Sequence, residues 1–177
     1  MFPLHYYTAG LHHTFNCNAF KTIRASNHTM TQQVTQPYLN AFRGSFKGIR
    51  KWEDLDAFWE ALETRSEPPW YVYAIGEPAP KEPVTQEQLK IFIDEIDALL
   101  RREHEEEYCG IVYVDDKSSP AFIKIYDPNN LGVVCGFSNN PPLPGWTVSR
   151  LPPVELNENT FLPQNRKRWW QKILGTK

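Results

Sequence analysis

Regular patterning along this chain begins at Trp52. Trp52, Leu55, Phe58, Trp59 and Leu62 recur at i, i+3, i+6, i+7 and i+10, with Glu53, Asp54, Asp56, Glu60 and Glu63 between them. That spacing gathers the apolar side chains on one stripe of a helix. The early acids suit the amino end of its dipole, and Pro68-Pro69 ends it. Trp70 to Ile75, aromatic and β-branched and closed by Gly76, predicts a strand. Glu77 to Pro83 reads as a loop.

A longer helix then opens at Thr85. Gln88 stands three residues on, the spacing at which the two side chains cap each other's backbone N–H groups. Leu89, Phe92, Ile93, Ile96, Leu99 and Leu100 form its apolar stripe, and Asp97 with Arg101 gives an i, i+4 ion pair on the outer face. Glu103, Glu105, Glu106 and Glu107 crowd its carboxyl end, where the helix dipole disfavours them unless something basic answers.

From Tyr108 the period becomes two. Cys109 to Val114 and Ala121 to Tyr126, joined by the polar turn Asp115 to Pro120, predict an antiparallel hairpin. Asp127-Pro128-Asn129-Asn130 reads as a turn into a further strand around Leu131 to Phe137, and Trp146 to Arg150 as a last short strand. The order of elements predicts an α+β fold: a small antiparallel sheet of four to five strands with two helices packed on one face.

Charge divides the same chain into three segments. Residues 1–52 carry six basic side chains and no acid, residues 53–158 carry eight basic against 21 acidic, and residues 159–177 carry five basic and no acid. A formal net charge of −2 therefore conceals an acidic middle between basic ends. Residues 1–36 are expected to be a disordered or non-native N-terminal extension, with Met30 as an alternative start to Met1. Residues 37–157 are expected to form a single α+β domain, and 158–177 a basic aromatic tail. At 177 residues, 14% of them aromatic, the chain has the material for one core.

The chemistry-bearing residues are sparse. The chain has no phosphate-cradling or dinucleotide glycine motif, no nucleophile elbow and no Cys-x-x-Cys. His104-Glu105 starts like a zinc-protease helix, but Tyr108 stands where the second histidine belongs. Cys17, Cys109 and Cys135, odd in number and far apart, speak against a disulfide framework and for a reducing compartment, the cytoplasm. No apolar run approaches the roughly 18 residues of a membrane span.

Two groups of residues remain as site candidates. Pro142, Pro144 and Trp146 would make a rigid recognition loop if the indole were exposed, whereas an inward Trp146 would simply begin a strand. Arg166, Arg168, Trp169 and Trp170 mix cations with rings, as in contacts with nucleic acid, membrane surface or acidic protein; docking on the chain's own acidic helix end is the competing use. Alternatively, His104, Cys109 and Cys135 would line a thiol or metal site, although two packed cysteines and a helix-end histidine account for them as well. The expectation is a non-catalytic accessory or protein-interaction domain without metal or cofactor, with a protein partner and with nucleic acid disfavoured by the acidic middle. The competing expectation is a ligand-binding or thiol- or metal-dependent enzyme with its pocket near Cys109, Cys135 and His104.

Overall fold

A computed structural model describes residues 37–65, 69–131, 143–156 and 164–174. Five strands, β1 (Lys47–Ile49), β2 (Tyr71–Ala74), β3 (Val112–Val114), β4 (Phe122–Ile125) and β5 (Trp146–Ser149), form one antiparallel sheet in the order β1-β3-β4-β5-β2. Helices α2 (Trp52–Arg65) and α3 (Gln86–Glu103) pack on one face, as the apolar stripes require. A short helix, α1, spans residues 37–42 and covers part of the other face. Helix α4 (Gln164–Leu174) lies against α3 and the main core. No described helix is long and apolar enough to cross a membrane.

The alternation of the strands sorts side chains between two cores. Val72, Ala74, Val112, Val114, Ile123, Ile125, Trp146 and Val148 face the helices and join Leu55, Phe58, Trp59 and Leu62 of α2 and the six expected apolar residues of α3. The opposite parity gives one ladder row across all five strands: Gly48, Tyr113, Lys124, Thr147 and Tyr73. This second face carries a smaller cluster of Tyr38, Tyr73, Ile75 and Phe122. Tyr38 and Phe42, four residues apart and hence on one side of α1, stack at 6.4 Å, and Tyr38 Oη is hydrogen-bonded to Thr147 Oγ1 at 2.8 Å.

Local signals hold where they were strongest. Thr85 caps α3, and the Thr85 and Gln88 side chains satisfy each other's backbone N–H groups. The hairpin of β3 and β4 has the expected turn, in which Asp115 accepts from Asp116 N and Ala121 N and Asp116 accepts from Ser118. Entry to β3 turns on Gly110, whose φ of +66° suits glycine and where a Cβ would stand 2.9 Å from the Tyr108 ring.

Three features differ from the sequence expectation. Strand β1 pairs with β3 at the sheet edge, ahead of the first regular pattern. Leu131 closes a single 3-10 turn, Pro128–Asn130, and the strand expected over Leu131–Phe137 otherwise lies outside the described residues. Helix α3 ends at Glu103, so Glu105, Glu106 and Glu107 sit beyond the helix and only Glu103 meets its negative pole; Arg101 and Arg102 in the last turn already oppose that pole.

Candidate functional site

Four of the residues singled out from sequence, Trp146, Arg166, Trp169 and Trp170, meet where α4 packs on α3 and the start of β5. Trp146 is 0% exposed, the first residue of β5, with the Trp169 ring 5.5 Å away edge-on. Trp170 packs against Phe92 of α3 at 6.2 Å. Both rings of the tail are half-buried, and Pro144 is buried. Pro142 lies outside the described residues. The exposed Trp/Pro recognition loop is therefore corrected at its indole: an apolar ring beginning a central strand is worth more inside the core than on a loop.

Arg166 organises this junction. Its side chain is only 4% exposed, and all three guanidinium nitrogens are engaged. Nε and Nη2 each donate to Asp127 at 2.7 Å, Nη1 donates to Glu103 at 3.0 Å, and Nη2 also donates to Glu103. Asp127 is itself buried and caps the 3-10 turn by accepting from Asn129 N. Glu103 further accepts from Asn129 Nδ2 at 2.6 Å and from Arg102 at 3.0 Å. Two arginines thus balance two carboxylates around a buried fork, the arrangement that makes an ion pair worth its desolvation. The Arg166 hydrogen bonds, against some burial, hold the Glu103 carboxyl down at about 2, with Arg102 adding to the effect. Burial disfavours the Arg166 charge, but its bonds to Asp127 and Glu103 prevail and hold it above its ordinary value.

This geometry settles what these side chains touch. Arg166 is buried in intramolecular contacts, while Trp169 and Trp170 pack against Trp146 and Phe92 and remain half-buried. Arg168 is exposed on α4. Lys167 reaches Glu77 at 3.6 Å. Sequence reasoning paired the tail with the glutamates of α3; it missed Asp127, because a turn-forming Asp-Pro-Asn reads as local geometry whether or not it also binds an arginine.

The thiol alternative is less tightly assembled. His104 is the C-cap of α3 and donates from Nε2 to the Tyr108 carbonyl at 3.0 Å, between the rings of Trp52 and Tyr108. Cys109 is fully buried, and burial pushes its thiol pKa up, which opposes the thiolate that nucleophilic or metal chemistry would use. Cys135 lies outside the described residues. Among the described residues, no cluster of His, Cys, Asp or Glu is placed to hold a metal ion.

The outward side of α2 and α3 has a different character. The two helices carry ten carboxylates against four basic side chains, five against one on α2 and five against three on α3. Lys90 joins them through Glu63 at 2.9 Å, and Arg101 bonds Asp97 at 2.7 Å while also reaching Asp56. Glu53, Asp54, Glu60, Glu87 and Asp94 are exposed. Among these acids stands Ile91, 43% exposed, off the buried stripe of α3 and within a helical turn of Glu87, Asp94 and Glu95. No protein-family model, curated protein or solved structure matches this chain.

Proposed function

We propose that the chain is a non-catalytic accessory or protein-interaction domain that offers the outward face of α2 and α3 to a basic partner. The observation that carries this reading is the exposed Ile91 set among the carboxylates of two helices. Acids alone would only keep a helix solvated. An apolar side chain left in their midst adds a short-range anchor to a long-range field, the combination by which charged surfaces gain both rate and specificity. The partner this face fits is a cationic helix or segment with one apolar residue among its Lys or Arg side chains. The same field repels a nucleic-acid backbone. Cys109, a buried free thiol, fits residence in a reducing compartment such as the cytoplasm.

Two synthetic peptides of equal charge, one of Lys and Leu and one of Lys and Ser, test this by fluorescence anisotropy at low and high salt. The Lys/Leu peptide should bind more tightly, and Ile91→Asp should weaken it about tenfold, or ~1.4 kcal/mol. Because the new carboxylate would strengthen attraction by charge alone, weakening isolates the apolar anchor. Equal affinity for the two peptides, or no effect of the substitution, defeats the reading.

A further inference from the structure

Helix α4 is itself a cationic helix. It carries Arg166, Lys167, Arg168 and Lys172 and no acid. Docking uses part of that charge: Arg166 is buried in the fork of Asp127 and Glu103, and Lys167 lies 3.6 Å from Glu77. Arg168 and Lys172 stand four residues apart, hence on one side of the helix, and both are exposed, as are Asn165 and Gln171. Next to Lys172, Ile173 is only half-buried and belongs to neither apolar cluster of the described residues, whereas Leu174 packs on the main core. The outward side of α4 therefore joins two cations to one accessible apolar side chain.

We propose that this side of α4 docks on the outward face of α2 and α3 of a second copy of the chain, so that the protein associates head to tail. This pairing rests on the role given above to that face, and identifies the partner as the chain itself. Charge and apolar contact are both complementary. Helices α2 and α3 carry ten carboxylates against four basic side chains, a surplus of six. Lys90 and Arg101 answer Glu63, Asp94, Asp97 and Asp56 from within the two helices, while Glu53, Asp54, Glu60 and Glu87 are exposed and Ile91 stands 43% exposed. Arg168 and Lys172 would meet the acids of this face while Ile173 meets Ile91, so that a long-range field and a short-range anchor act together.

The contact asks for no rearrangement. Arg166, only 4% exposed, holds α4 from its inward side, so the helix stays on its own fold while its outward side meets the next molecule. Because the two surfaces differ, the contact is heterologous. Each copy keeps one surface of each kind to offer, and assembly continues until a ring closes.

Sedimentation velocity of the full-length protein, over a concentration series at low and high salt, tests this. Wild type should self-associate at low salt and less at high salt, as screening removes the charge attraction. Arg168→Glu combined with Lys172→Glu, both on the exposed side of α4, should weaken self-association at least about tenfold. The Lys/Leu peptide needs only the acidic face and should still bind this protein, which also shows it to be folded. Ile91→Asp should weaken both self-association and peptide binding. Each altered protein retains the surface that the other has lost, so an equimolar mixture should give a heterodimer and nothing larger. A wild type that stays monomeric at every concentration overturns the proposal, as does a mixture without heterodimer. Self-association that survives the charge reversal overturns it too, by placing the contact on another basic segment. In each of these cases binding of the Lys/Leu peptide decides separately whether the role of the acidic face stands.

Discussion

Arg166 shows how far a single side chain can decide what a segment does. Read as a sequence, Arg166-Lys167-Arg168-Trp169-Trp170 has the composition of a surface that meets anions. In the fold the first arginine is buried in a fork of Asp127 and Glu103, so the same residues become a fastening. Two consequences are measurable. Arg166→Ala leaves the buried Asp127 without its cation and should cost about 3–5 kcal/mol in urea denaturation. Arg166→Lys should recover only part of this, because an ammonium cannot bridge both carboxylates as a planar fork does. The pH dependence has a definite sign. Glu103 titrates at about 2 in the fold against 4.5 ordinarily, so its contribution is present above about 4.5 and is lost as pH falls toward 2. Acid titrations of wild type and Arg166→Ala should therefore converge at the acid end; parallel curves would mean Glu103 is not held by this arginine.

At the scale of elements, legibility followed the repetition of pattern. The 14 residues of α2 and 18 of α3 repeat their apolar spacing often enough to define a face, and every residue of the expected α3 stripe is buried. Strand β1, Lys47-Gly48-Ile49, has one apolar side chain and no β-branched or aromatic run around it, and α1 spans less than two turns, so neither shows a period; both are held by tertiary partners: β1 by β3, α1 by the Tyr38–Thr147 bond and Phe122. Phe92 of α3, fully buried against Trp170, gives the corresponding test. Phe92→Ala should cost about 3–5 kcal/mol, and Lys90→Ala, one turn face away, should move the denaturation midpoint little. Equal effects would mean that the helix phase is wrong.

Among the described residues of the whole molecule, the sheet separates two electrostatic surroundings, acid-rich α2 and α3 on one side and the acid-free segment 37–46 with Lys124 on the other, while α4 closes the junction at the end of α3. Deleting residues 158–177 should lower the melting temperature by uncovering Trp146 and Phe92. Complementary charges alone would make that loss shrink at high salt. Because Arg166 and Asp127 are buried and the rings of Trp169 and Trp170 are apolar, the loss should instead persist at high salt, with the half-buried Lys167–Glu77 pair partly screened. A melting temperature unchanged by the deletion would place the tail outside the fold's stability altogether. The sequence by itself determined the fold class, the phase of both long helices, the capping of α3 and the β3–β4 hairpin, since each follows from periodicity or turn chemistry within a short window. Only the tertiary structure decided that Trp146 turns inward, that Asp127 shares Arg166 with Glu103, and that Lys124 meets the rings of Phe42 and Phe46. The last two outcomes depend on pairs separated by 39, 63 and about 80 residues, and no local pattern encodes which distant group will arrive.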